Sequence, residues 1–149
     1  MKRNDSLLKL SREHHGALVL AKRAQGFGPT RSDAADAFMA QLVATFAGEL
    51  EPHFQDEENT LLPALQAAGE NALVERTLAE HAELRGLIDA IAQRDLAALP
   101  RFGSALAAHV RFEERELFPA AENILPPETL SAIEAKLHHP HPNLHYQGA

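Results

Sequence analysis

An all-α fold is predicted: an antiparallel up-down-up-down four-helix bundle with a short extra C-terminal helix. Three observations carry that prediction. Apolar residues recur at the helical period of about 3.6 residues, and strand-like alternation is nearly absent. Ala and Leu are plentiful and aromatics make up only 5% of the chain, which suits a core of aliphatic side chains. Four long helical stretches are joined by short Gly- or Pro-containing connections, which lay successive helices side by side in opposite senses. The 149 residues suffice for one domain with a single core. That domain is expected over residues 1–137, followed by a His- and Pro-containing tail over 138–149.

The first helix is expected from Asp5 or Ser6 to Gln25, where "GFGPT" cannot easily continue it. A second starts at Ser32 or Asp33, either of which can cap free amides, and runs to about Ala68. Gly69 then serves as a left-handed terminator. The third covers about Glu70 to Arg94. After the break at "RDLAALP", Asp95 or Pro100 opens a fourth helix that runs to about Asn123. "LPPETLSAIEAKL" forms the short fifth, with Pro127 in its first turn. Pro52 and Pro63 fall inside the second helix and Pro119 inside the fourth. Each removes an amide donor and crowds the preceding turn, so a kink or an early end is expected there.

Bulk properties narrow the function. A formal net charge of −7 argues against a nucleic-acid surface, whose affinity comes largely from clustered Lys and Arg. There is no apolar run near the ~20 residues of a membrane span, and the basic start "MKRNDSLLKL" lacks the apolar segment of a secretion signal. A cytoplasmic protein with no membrane association is the expectation. Without cysteine, any transition metal must be held by nitrogen and oxygen.

The chemistry lies in a phrase written twice. "HFQDEENTLLPAL" and "HVRFEERELFPAA" both follow H-x-x-x-E-E-x-x-L-[LF]-P. Residues four apart on a helix share one face, so His53 and Glu57 point into one small volume, as do His109 and Glu113. Leu42, Phe46, Leu50 and Ala64 share the face of His53; Phe102, Ala105, Leu106 and Phe112 share that of His109. A carboxylate on a buried face is costly unless compensated, and a bound cation compensates it directly. The other two long helices each offer one inward histidine. His81 lies among Val74, Leu78, Leu84 and Ile88, and His14 among Leu7, Leu10, Leu18 and Ala21. The helical wheel favours His14, with His15 as the alternative. "EH" also opens both "EHHGAL" and "EHAELR", a weaker second repeat.

Four histidines and two glutamates at one level make two metal positions, with Glu57 and Glu113 bridging or shared. Nitrogen and oxygen ligands fit iron, and also manganese or zinc. Six side chains do not saturate two six-coordinate ions, which leaves open positions for a small ligand. Glu58 and Glu114 point about 100° further round, toward solvent or the surroundings of the ligands. Glu116 lies one turn beyond Glu113 and joins those surroundings, whereas Arg85 is expected mainly as an exposed end over an apolar stem. His138, His139, His141 and His145 in the tail are expected to belong to a frayed terminus, not to the site. Tyr146, the only tyrosine, lies there too and gives no support to a tyrosyl-radical mechanism.

The order His14, His53-x-x-x-Glu57, His81, His109-x-x-x-Glu113 resembles the hemerythrin-like (HHE cation-binding) family over about Leu7 to Glu122. The resemblance implies a four-helix bundle around a non-haem centre of two iron ions, of Fe–O–Fe type. It also implies reversible dioxygen binding, oxygen or iron sensing, or nitric oxide handling and iron–sulfur repair. The sequence departs from the oxygen-carrying members in two places. Arg85 stands where they have a further His, and Glu113 follows His109 by four residues where they place an Asp at five. The ligand order is closer to the iron–sulfur repair branch, whose N-terminal cysteines are missing here.

The leading expectation is a module that binds or senses dioxygen, peroxide or nitric oxide at an open coordination site. A sensing role calls for a separate protein partner to carry the signal. One alternative is an oxidoreductase, or an iron donor, in peroxide or nitric oxide detoxification or iron–sulfur repair. The other is an interaction bundle with a structural metal. Nothing besides the ligands reads as a substrate-positioning set, which favours binding and leaves turnover open.

Overall fold

The computed structural model describes residues 3–137; the expected tail, with its four histidines and Tyr146, lies outside the described residues. Among the described residues there are helices and no strands, gathered into five rods. A 3-10 turn, Asp5–Leu7, leads into α1 (Leu8–Gln25), and the Asn4 side chain caps it by accepting the Ser6 amide. The second rod opens at Ser32, whose hydroxyl accepts the Ala35 amide. It comprises α2 (Asp33–Thr45), α3 (Glu51–Asp56) and α4 (Leu62–Ala67), joined without a break by π-helical turns at Phe46–Leu50 and Glu57–Leu61. Gly69 ends it at φ 91°, and the Glu70 amide closes back on the Leu65 carbonyl.

α5 (Asn71–Ala92) forms the third rod. It closes in the same way, from the Asp95 amide to the Ala90 carbonyl, with Arg94 at φ 65° in place of a glycine. The fourth rod is α6 (Ala98–Phe112), a π-helical turn at Glu113–Leu117, and α7 (Phe118–Ile124). It starts between the two expected openings, because the Asp95 side chain accepts the Ala97 amide and sets a turn first. α8 (Pro127–Lys136) follows, with Pro127 at its first position.

The prolines do not end their helices, which corrects one of the outcomes expected for them. Before each one the helix widens by a residue. The last amide before Pro52, that of Glu51, bonds to the Phe46 carbonyl; Leu62 before Pro63 bonds to Glu57, and Phe118 before Pro119 bonds to Glu113. An i→i−5 bond moves the carbonyl that a pyrrolidine ring would strike, and the missing proline amide falls in the first turn of the next segment. Two of the three wide turns begin at Glu57 and Glu113.

α1 packs on α6, α5 packs on α6, α2 and α4, and α8 covers the Asp5–Leu7 and Glu57–Leu61 turns. Gly103 lets α6 pass close to α1: a Cβ there would lie 2.5 Å from the Ala21 carbonyl oxygen. Two apolar clusters result. One gathers around Leu42, Phe46, Phe54, Ile91, Phe102 and Leu106, the other around Leu61, Leu65, Phe112, Phe118, Leu130 and Ile133. Leu18 and Leu78, expected on the His14 and His81 faces, are instead exposed. The buried arc of each helix includes its histidine near one edge, with Leu18 or Leu78 just beyond that edge, and is centred toward Ala17 and Ala21 in α1 and toward Leu84 and Ile88 in α5. No described helix is long and apolar enough to cross a membrane.

Candidate metal centre

The polar side chains singled out in the sequence meet in one buried layer. His14, His53, Glu57, His81, His109 and Glu113 are each at most 4% exposed, whereas His15 is exposed. Glu57 Oε2 lies 3.1 Å from His53 Nε2, and Glu57 Oε1 lies 3.1 Å from His81 Nε2. Glu113 does the same for the other two histidines, at 2.9 Å from His14 Nε2 and 3.1 Å from His109 Nε2. Each carboxylate therefore touches imidazoles from two different rods. Two groups can each hold a cation: His14, His53, Glu57 and Glu113, and then Glu57, His81, His109 and Glu113. Within each group the ligand atoms lie within 4.8 Å of one another.

The outer ring nitrogens are all occupied. His14 Nδ1 donates to Glu114 at 2.7 Å, His53 Nδ1 to Glu13, His81 Nδ1 to Glu58 and His109 Nδ1 to Glu80, each also at 2.7 Å. Donation from Nδ1 leaves the Nε2 lone pair facing inward, the tautomer a metal-binding imidazole needs. Glu58 and Glu114 thus orient histidines and do not simply face solvent. Glu116 does not join them; it is exposed and pairs with Arg76 at 3.4 Å. Arg85 is not a free end but grips Glu51 and Glu58.

Glu13 and Glu80 were not predicted. Their signal was the doubled "EH" in the sequence, where each glutamate precedes one inward histidine yet serves a different one on a neighbouring rod. With them the arrangement repeats in two halves. In each half the Glu of "EH" serves the histidine of the same half, and the second Glu of "EE" serves the "EH" histidine of the other.

The donor set fits a cation by an independent sign. His53 Nε2, Glu57 Oε2, His109 Nε2 and Glu113 Oε2 are buried without a hydrogen-bond partner. His53 and Glu57, and likewise His109 and Glu113, approach to 3.1 Å yet are misaligned for a bond, their lone pairs aimed into the shared space. Nitrogen and oxygen donors without sulfur suit a transition ion of intermediate hardness.

Without a cation, protons must balance the buried carboxylates. Burial favours neutral imidazole, but the Glu113 carboxylate and the Glu80 hydrogen bond overcome it and raise His109 to about 10. The same contest, won chiefly by the Glu57 charge, lifts His53 well above its ordinary value. Against its own burial, the charge on His109 holds Glu113 well below the usual carboxylate range. A group raised on folding stabilises fully below its unfolded value and stops doing so as the pH passes its folded value; a depressed group does the reverse. The metal-free protein is therefore expected to melt highest between the unfolded values of 4.5 and 6.5, losing stability toward pH 10 as His109 deprotonates. It should also lose stability in acid, as Glu113 is protonated. Thermal unfolding against pH measures this, and a melting point that climbs steadily from pH 7 to 10 contradicts it.

The sequence matches the model of the Hemerythrin HHE cation binding domain family over residues 6–121. Neither the search of curated proteins nor that of solved structures found a match. The matched span holds all six converging side chains and covers well over half of the chain. The chain belongs to the hemerythrin HHE cation-binding domain family.

Proposed function

We propose that this protein is a cytoplasmic non-haem di-iron protein that binds or senses dioxygen, peroxide or nitric oxide. Its four long rods are read as an up-down-up-down antiparallel bundle, with α8 as the short extra helix. His14 and His53 would hold one ion and His81 and His109 the other, with Glu57 and Glu113 available to both. The observation that carries this reading is the sharing itself: each carboxylate stands 2.9–3.1 Å from Nε2 atoms of two histidines on opposite sides. Manganese or zinc satisfies the same donors, so iron is the finer part of the proposal. An iron pair bound there supplies open coordination positions and redox electrons to a diatomic or peroxide ligand.

The chain's own side chains hold, orient and seal. Glu13, Glu58, Glu80 and Glu114 fix the four rings, and the two apolar clusters exclude bulk water from above and below. A cavity of about 20 Å³, room for one water-sized molecule, adjoins His14 and His53 against Ala17, Leu20, Leu106 and Val110. Its size favours a small gas over an organic substrate, and besides the histidines its polar lining is Glu13 and Glu49.

The test is an optical spectrum of the iron-loaded protein, first reduced and then exposed to air, peroxide or nitric oxide. Bridged ferric bands that form once and fade slowly on re-reduction are expected. Steady peroxide loss with many turnovers would instead support an enzyme, and no spectral response to any ligand would leave a structural metal. His53→Ala and His109→Ala should abolish the bands, while His138→Ala in the tail should leave them; equal loss from all three overturns the ligand assignment.

A further inference from the structure

Two arginines stand in matched places just outside the histidines. Arg85, one turn after His81, donates to Glu58 at 2.8 and 3.2 Å and to Glu51 at 2.9 and 2.7 Å. Glu58 is the carboxylate that accepts from His81 Nδ1. Phe54 stacks on the His81 ring, with centroids 4.1 Å apart and planes 13° from parallel. The Arg85 guanidinium lies 5.6 Å from the centre of the same phenyl ring.

Arg3 reproduces each of these contacts at His14. It donates to the Glu114 carboxylate at 3.1 Å, the Glu114 carbonyl at 2.9 Å and Glu122 at 2.8 Å. Glu114 accepts from His14 Nδ1. Phe118 stacks on His14 at 5.4 Å and 4°, and the Arg3 guanidinium lies 5.5 Å from the Phe118 centre. In both places an imidazole is held at its edge by a carboxylate and on its face by a phenyl ring, and one guanidinium fastens both.

The sequence repeat does not contain this pair. The residue one turn after His14, equivalent to Arg85, is the exposed Leu18. Arg3 instead reaches in from ahead of the Asp5–Leu7 turn. One arrangement built from two unrelated chain segments is better explained by a need of the site than by duplication of the sequence.

We propose that Arg85 and Arg3 are positioning residues, Arg85 for the His81–His109 metal position and Arg3 for the His14–His53 position. This rests on the two-position reading above. The rigid fork of a guanidinium fixes a carboxylate in place, which a single flexible ammonium does less well. Glu58 and Glu114 are 21% and 29% exposed, so without the arginine Glu58 can swing into water and release His81. Glu114 is left with the Ser11 hydroxyl, which donates to it at 2.7 Å, as its remaining anchor beside His14. The remaining histidines are buttressed separately: Lys9 pairs with Glu13 behind His53, and Arg76 with Glu80 behind His109.

The probe is ferrous iron alone, added without oxygen to the full chain and withdrawn by a competing chelator. Wild type should hold two ions. In Arg85→Gln one ion should be held as in wild type and the other on the order of 10-fold more weakly. His14→Ala assigns the position: in that background Arg85→Gln should weaken the remaining ion and Arg3→Gln should not. Arg85→Lys should recover only part of the loss. The arginine contacts are partly exposed, so the melting point of the metal-free variants should barely move. A metal-free melting point that falls in step with affinity would show a merely structural role and overturn the proposal. So would equal weakening of both ions, or of neither. A wild type that holds fewer than two ions removes the two-position reading itself, a different failure from uniform weakening in the variants.

Discussion

Glu113→Ala is expected to strip tightly held metal from both positions at once. Its two oxygens lie 2.9 Å from His14 Nε2 and 3.1 Å from His109 Nε2, with His53 at 3.8 Å and His81 at 3.9 Å. No other single side chain except Glu57 belongs to both groups of ligands. Loss of the carboxylate also removes the charge that holds His109 protonated to about pH 10. The imidazole can then shed its proton, so the metal-free variant avoids most of the roughly 3–5 kcal/mol cost of a broken buried ion pair. The variant should therefore fold, and its alkaline loss of stability should move to lower pH. Elemental analysis measures the metal. Glu116→Ala, which removes a nearby exposed carboxylate paired only with Arg76 among its described contacts, should keep wild-type content. Retention of one full ion in Glu113→Ala contradicts the sharing.

Phe54→Ala is expected to have the largest effect on stability. The ring is 1% exposed and belongs to the cluster that closes one side of the polar layer. It stacks on His81, meets His53 and His109 edge-on at 6.1 and 5.7 Å, and packs against Phe46. Truncating a fully buried phenylalanine costs about 3–5 kcal/mol through lost transfer energy and the cavity left behind. For a chain of this size that lowers the melting point on the order of 10 °C. The cavity would open beside three of the four histidines, so metal should also be released faster. Phe54→Leu, which refills most of the volume, should recover stability more fully than it slows metal release, because it has no flat face to hold His81. A melting point within 2 or 3 °C of wild type in Phe54→Ala, about 1 kcal/mol, contradicts this account.

The inward six were legible because spacing alone decides which residues share a helical face. His53 with Glu57 and His109 with Glu113 needed only i,i+4 geometry, and His14 over His15 only the helical wheel. The outer carboxylates were less legible, since Glu13 and Glu80 act across to another rod and no intrahelical rule relates them to His53 and His109. For Arg85 the sequence suggests an exposed end, because its partners, Glu51 and Glu58, lie on a different helix. Arg3 was out of reach for the same reason, more than a hundred residues from Glu114 in sequence.

The prolines misled in an instructive way. A proline inside a helix removes one bond and strikes one carbonyl, so a kink or an end is the natural expectation. The chain meets both costs by widening one turn ahead of each ring, and in two cases the wide turn starts at a shared carboxylate. The recurrence of proline six residues after Glu57 and Glu113 was visible in the sequence. What it meant depended on an i→i−5 bond that local propensity does not foretell.

One layer of four histidines and two glutamates is proposed to hold a pair of iron ions. The most direct measurement is the iron-to-protein ratio of the full chain after anaerobic loading and removal of loosely held metal. Two ions per chain are predicted. A ratio of one or of none contradicts it.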